Sequence, residues 1–191
     1  MAKSAQRAQA AAEAIRVEPL LGRISGAAGV SLTPAKPAAR VSLRANPVDA
    51  KTLSKALGLD LPLKPKTSSA NAKGRLALWL GPDEWLLIDE SGDPMADLKK
   101  VRALHSAVDV SHRNTAILVA GTGARATLEA GCPQDLRESA FPVGAASRTV
   151  MGKIEVVIYR SGESEYRVEC WRSFSDYAFT FLSDAARDCL A

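Results

Sequence analysis

Histidine and cysteine are scarce in this chain, which carries two imidazoles, His105 and His112, and three thiols, Cys132, Cys170 and Cys189. The thiols are odd in number, far apart and without a Cys-x-x-Cys pair. Neither a disulfide framework nor a zinc knuckle is predicted, and a reducing cytoplasm fits. No His-x-x-x-His or His-x-His spacing exists, so no metal site built on His and Cys is expected. Long apolar runs are missing as well. None approaches the ~20 residues that cross a bilayer, and the N-terminus lacks the short apolar core of a signal peptide, so no membrane association is expected. The opening ten residues pass superficially for an organellar presequence, but Glu13 and Glu18 argue against that reading. No Gly-x-Ser-x-Gly elbow is present either.

What is there has a globular balance: 191 residues, 47% hydrophobic and 24% charged. That length accommodates one domain with an arm. The net charge of +4 is a weak bias, because 25 Lys and Arg face 21 acids. The densest cationic stretches are Lys64 to Arg75 in a loop and Lys99, Lys100 and Arg102 on a predicted helix. Neither interleaves aromatics with cations, so no nucleic-acid partner is expected.

Residues 5–16 are Ala-rich and helix-forming, with Ile15 and Val17 as the only large apolar anchors nearby. Pro19, Gly22, Gly26, Gly29, Pro34 and Pro37 then interrupt regular structure. Residues 1–40 therefore read as a partly irregular N-terminal arm, and 41–191 as a single α+β domain. Residues 40–44 alternate as a strand. Asn46-Pro47 caps a helix running to Leu57, and Gly58 ends it. Residues 75–80 and 85–89 flank the turn Gly81-Pro-Asp-Glu84 as a hairpin. Asp93-Pro94 opens a helix whose stripe is Met95, Leu98, Val101 and Leu104. Residues 107–111 and 115–119 read as strands, and 122–130 as a helix closed by Gly131. Residues 149–160, with a slide in register near Gly152, pair with 165–172 as a second hairpin. A last helix from Ser173 places Phe174, Tyr177, Ala178, Phe181, Leu182, Ala185 and Cys189 on one face, an aromatic stripe read as core. Hairpins interspersed with single helices predict antiparallel sheets with packed helices.

Three constellations invite a chemical reading. Gly121-Thr-Gly123-Ala-Arg-Ala126 matches Gly-x-Gly-x-x-Ala between a strand and a helix. The helix is short, no parallel strand with a terminal acid follows, and Pro133 breaks the chain, so an ordinary helix start is preferred. Asp109-Val-Ser111-His112-Arg113 gathers an acid, a hydroxyl, an imidazole and a guanidinium. Strand alternation turns Ser111 and His112 to opposite sides, which favours turn capping over a triad. Cys132 directly follows a helix C-terminus, where the dipole disfavours a thiolate nucleophile. Trp79, Trp85 and Trp171 lie on predicted strands and fit either core or a partner-facing surface.

Five segments occur in an order that carries a resemblance: Gly81-Pro-Asp-Glu-Trp-Leu-Leu87, Val108-Asp-Val-Ser-His-Arg113, Ala130-Gly-Cys-Pro-Gln-Asp-Leu136, Phe141-Pro-Val-Gly144 and Arg172-Ser-Phe-Ser-Asp-Tyr177. Over about residues 75 to 182 the chain resembles the gamma subunits of heterotetrameric sarcosine oxidases. That family in turn resembles the aminomethyltransferase, or glycine-cleavage T-protein, fold. The resemblance implies a complex that oxidatively demethylates sarcosine to glycine with hydrogen peroxide and 5,10-methylenetetrahydrofolate or formaldehyde. It implies alpha, beta and delta subunits as partners, with alpha the main contact. FAD, covalent FMN, NAD, zinc and tetrahydrofolate would sit on those other subunits, and no cofactor on this one. The transferases present a carboxylate to folate from a Gly-x-Ile-Asp-Asp segment; the like segment here is Gly152-Lys-Ile154-Glu155-Val156, with Val156 in place of the second acid. The implied role is an assembly subunit without catalytic, cofactor-binding or metal-binding residues of its own. Trp85, Asp109, His112, Arg113, Arg172 and Tyr177 are its interface candidates. The alternative is a stand-alone folate-binding, aminomethyltransferase-like protein.

Overall fold

The structure is a computed structural model and describes residues 18–188. The helix expected over residues 5–16 and the side chain of Cys189 lie outside the described residues. The fold has four layers, a pair of helices, two antiparallel sheets and a second pair of helices.

The first sheet has the order β1-β2-β8-β11-β10-β9. Its strands are β1 (Ser25–Ala27), β2 (Val30–Pro34), β8 (Asn114–Ala120), β9 (Ala146–Met151), β10 (Ile154–Gly162) and β11 (Glu165–Trp171). The second, ordered β4-β5-β6-β3-β7, contains β3 (Ala39–Ala45), β4 (Ser68–Ala70), β5 (Leu76–Gly81), β6 (Glu84–Asp89) and β7 (His105–Asp109). Helices α3 (Ala124–Glu129) and α4 (Ser175–Asp188) cover the first sheet, and α1 (Ala50–Leu57) and α2 (Pro94–Leu98) the second.

Three apolar clusters follow from strand alternation. Ile117, Val119, Val156, Ile158, Val168 and Cys170 point toward α3 and α4. Val41, Leu43, Trp85 and Leu87 point toward α1 and α2. Leu76, Leu78, Leu86, Ile88, Ala146 and Val157 fill the space between the sheets. Strands β5 and β6 are covered on both faces, which is why their sequences run almost continuously apolar instead of alternating.

The α+β class, the strand at 40–44, the first helix with its left-handed Gly58 (φ 66°) and the 75–89 hairpin form where the sequence places them. Asn46 caps a 3-10 turn, accepting from Val48 N–H at 3.1 Å, before the α-helix begins at Ala50.

Four readings are corrected. Residues 25–34 form β1 and β2 despite their glycines, because Gly26 (φ 143°) lets two backbones approach where a Cβ would lie 2.2 Å from the Val30 carbonyl oxygen. Helix α2 stops at Leu98 and Leu104 is 88% exposed, because the chain must extend by His105 to pair with β3. The cationic stretch at 99–102 therefore lies beyond the helix. The 149–160 stretch is two strands joined by a tight turn at Gly152 (φ 58°), a conformation glycine takes without strain. In the last helix Phe179, not Phe174 or Tyr177, is buried; those two are each 39% exposed. Its buried face runs through Ala178, Phe179, Leu182 and Ala186, so the aromatic stripe lies at the margin of the core.

Arg75 ties three elements of the second half-core. It donates to Asp89 at 2.7 Å, to Asp97 at 2.9 Å and to the Leu57 carbonyl at the end of α1 at 2.6 Å. Burial pushes the Asp89 carboxyl upward, but Arg75 and the N–H groups of Ser91 and Gly92 outweigh it and hold the group below its ordinary value. A depressed folded-state value makes the contribution to stability fully present above the unfolded carboxylate value. It is lost as pH falls through the folded one. Urea unfolding of the wild type across an acid series should therefore show a steep loss of stability below the ordinary carboxylate range. Asp89→Asn should start less stable and show a flatter acid limb; an unchanged limb would refute the linkage.

Candidate functional site

The segment 109–114 turns between the two sheets, and its first residues cap themselves. Ser111 donates both its N–H (2.8 Å) and its Oγ–H (2.5 Å) to Asp109 Oδ1, and its Oγ accepts from the Arg40 N–H at 2.9 Å. The strand ends at Asp109, so the residues from Ser111 to Arg113 do not alternate as a strand would. The N–H groups of Arg113 and Asn114 both return to the Val110 carbonyl at 3.0 Å. This turn swings the Arg113 guanidinium over Trp171, 4.1 Å from the ring centroid. Arg172 N–H closes the contact by donating to the Arg113 carbonyl at 2.7 Å.

From Trp171 an aromatic ridge runs along the surface. Trp171 stacks on Phe174 with centroids 5.8 Å apart, and one helical turn on Tyr177 stacks on Phe181 at 6.2 Å. The Tyr177 hydroxyl accepts the Lys153 N–H at 3.3 Å, above the Gly152 turn. Asp109, His112, Arg113, Arg172 and Tyr177, all expected at an interface, thus lie along this turn and ridge. Trp85 does not. It is fully buried under α1, with its indole N–H donating to the Pro62 carbonyl at 2.7 Å, and cannot touch a partner. Trp171, which the sequence leaves open between core and partner-facing surface, and Phe174, which it assigns to the core, both lie on the exposed ridge. Parity could have found Trp171, because Tyr166, Val168 and Cys170 point inward and leave it on the opposite face.

Two cavities flank the turn. One, of about 420 Å³, is walled by Leu21, Ile24, Pro34 and Pro37 with Arg40 and Ser111 among its polar groups. The other, of about 240 Å³, lies between the sheets and holds Glu84, Glu169, Glu155, Arg148, Arg113 and Trp171. Its carboxylates are engaged. Glu169 accepts from Arg40 Nε (2.7 Å) and Nη2 (3.3 Å) and from Arg167 Nε (2.7 Å), all buried. Glu84 is gripped by Arg148 and by Arg44 at 2.9 Å. Burial pushes Glu84 up, yet the two arginines hold it below its ordinary value, so it is a poor proton acceptor. Burial, with Glu169 adjacent, pushes the Cys170 thiol up to about 12, so it is no nucleophile.

Position 156 is also settled by register. Val156 faces the apolar cluster beneath α4, while Glu155, 4.0 Å from Arg148, opens on the inter-sheet cavity. The hydrocarbon at 156 is thus what packing demands there, and the exposed carboxylate is its neighbour.

The Gly-x-Gly-x-x-Ala segment has a structural explanation. Gly121 (φ 117°) sits where a Cβ would come 2.1 Å from the Gly29 carbonyl oxygen. Its N–H donates to the Ser164 carbonyl and that of Gly123 to the Gly29 carbonyl, so neither is available to a phosphate. Among the described residues no cluster of three or more His, Cys, Asp or Glu could hold a metal ion, and no helix is long and apolar enough to cross a membrane.

Residues 42–188 match the sarcosine oxidase, gamma subunit family. The chain belongs to that family. Sarcosine oxidase subunit gamma of an Arthrobacter species is 34% identical over 154 residues, 78% of this chain and 75% of the relative. The counterpart in Corynebacterium sp. strain U-96 is 29% identical over 167 residues, 85% and 82% of the two chains. A chain of the solved heterotetrameric sarcosine oxidase of Corynebacterium sp. U-96, in complex with pyrrole 2-carboxylate, superposes with a TM-score of 0.80 over 85% of this chain and 86% of its own. The glycine cleavage system aminomethyltransferase T of Bartonella henselae has a TM-score of 0.63 at 18% identity, over 84% of this chain and 49% of that one. That likeness establishes the shared fold, as the gamma-family segments imply.

Proposed function

We propose that this chain is the gamma subunit of a heterotetrameric sarcosine oxidase and serves assembly rather than chemistry. The complex would oxidatively demethylate sarcosine in the cytoplasm, with alpha, beta and delta subunits as partners and alpha as the main contact. FAD, covalent FMN, NAD, zinc and tetrahydrofolate would reside on those subunits. The exposed Arg113–Trp171–Phe174 stack carries this reading. Stacked aromatics under a guanidinium are the side chains that dominate protein interfaces when buried by a partner. The arginine-held carboxylates of the adjoining cavity support a supporting rather than a reacting role.

Trp171→Ala and Arg113→Ala are expected to weaken association with the co-expressed partner subunits by roughly 10- to 100-fold, about 1–3 kcal/mol each. Sarcosine turnover per fully assembled complex should stay near wild type, as should that of Glu155→Gln. Quantitative co-purification and stopped-time peroxide assays measure the two. A Glu155→Gln complex that assembles but loses turnover would make the chain catalytic. Tight, saturable tetrahydrofolate binding by the chain alone would favour a folate-binding protein instead.

A further inference from the structure

Strand β7 ends the five-stranded sheet and pairs with β3 on one side only. Just beyond it, Val110 donates its N–H to the Arg40 carbonyl at 2.9 Å. Bonded pairs alternate along an antiparallel ladder, so Val108 opposite Ser42 and Ser106 opposite Arg44 also aim their main-chain groups at β3. Those of His105 and Ala107 therefore point out of the sheet, and no strand among the described residues takes them.

Natural sheets guard such edges with short strands, charged residues, proline or bulges. The other edges here are guarded: β1 and β4 are three residues long, and β9 carries Arg148. Strand β7 runs five residues in unbroken register without lysine, arginine or proline, and its charged residue, Asp109, stands at the last position with its carboxylate accepting from Ser111. Val108 is 52% exposed, and Leu104, just before the strand, is 88% exposed. Cations bracket it, with Lys99, Lys100 and Arg102 before and Arg113 after, all exposed.

We propose that β7 is completed by an added strand: an extended segment of a non-identical subunit pairs with its outer edge, sets apolar side chains on Leu104 and Val108, and carries carboxylates near both ends. This deepens the gamma-subunit reading and rests on it. A second copy of this chain fits poorly, because antiparallel pairing about Ser106 brings the Lys99 of each copy toward the Arg113 of the other, with like charges opposed at both ends. An extended segment supplies what the edge lacks, main-chain donors and acceptors at strand spacing.

Residue-resolved hydrogen exchange on the assembled complex tests this. The amides of His105 and Ala107 are expected to exchange as slowly as those of Ser106 and Val108, on the order of 100-fold slower than an open edge. Open-edge exchange in a complete complex overturns the proposal. So does protection that vanishes when residues 1–17 are deleted, which would make the occupant this chain's own N-terminus. As a second arm, Val108→Lys should cut retention in the complex by about 10-fold, while Val48→Lys, at a site 82% exposed elsewhere, should leave it unchanged. Equal retention of the two variants overturns it as well. A wild-type chain that never co-purifies with other subunits removes the gamma-subunit reading and this proposal together; one that co-purifies with an open edge removes only the added strand.

Discussion

Glu169→Ala should lower the stability of the chain by about 3–5 kcal/mol, enough to unfold many domains of this size. Glu169 on β11 is the one carboxylate between two buried guanidiniums, Arg40 from the facing sheet and Arg167 from its own strand. Its side chain is 1% exposed and that of Arg40 4%. Removing it leaves two cations in a low-dielectric layer, where the cost comes from desolvated charge and not from a lost contact. Arg167 would keep only Glu90 at 3.5 Å, and its Nη2 already has no partner among the described residues. The control is a triple replacement of Arg40, Glu169 and Arg167 by leucine or methionine, which should cost far less than the single change because no charge is stranded. Urea titration followed by tryptophan fluorescence checks both. A Glu169→Ala midpoint near that of the wild type would show that water reaches the triad.

Arginine pairing of the same kind, at Glu84, explains why the inter-sheet cavity is a poor place for acid–base chemistry. A general base must be able to change protonation near working pH. Glu84, held below its ordinary value between Arg44 and Arg148, cannot. Glu155 remains the only carboxylate of that wall with an exposed side chain, at 53%. What the cavity offers a partner is shape and the Trp171 wall, which accords with an assembly role.

The sequence made the α+β class, the 75–89 hairpin and the capped first helix legible because each is fixed locally. Asn46-Pro47, Gly58 and Gly81-Pro82 are turn and cap chemistry that needs no tertiary partner. It was misleading where a distant strand decides the outcome. Helical spacing continued past Leu98 to Leu104, but β3 requires an extended partner from His105. Glycines at 22, 26 and 29 read as interruptions, yet Gly26 and Gly121 are the close approaches that let β1 and β2 join the sheet. The ridge was half legible for the same reason. Asp109, His112 and Arg113 stand in one motif, but only the β8–β11 register brings Arg113 onto Trp171. Trp85 and Trp171 look equivalent in sequence, each ending or opening a strand, and packing alone separates them.

That separation predicts opposite phenotypes for the two tryptophans. Trp85→Ala should destabilise the chain by about 3–5 kcal/mol, because it empties a site closed by Leu43, Leu53, Leu57 and Leu61 that nearby backbone cannot refill. It also strands the Pro62 carbonyl, which Trp85 Nε1 satisfies at 2.7 Å. Trp85→Phe keeps most of the volume but loses that donor, and should cost about 1–3 kcal/mol. Trp171→Ala removes a ring that is 37% exposed and should leave the unfolding midpoint nearly unchanged while partner retention falls. Measuring both quantities on both variants makes the test two-sided. If Trp85→Ala kept its midpoint and lost its partners, the core placement would be wrong; if Trp171→Ala unfolded the chain, the ridge would be part of the core and not an interface.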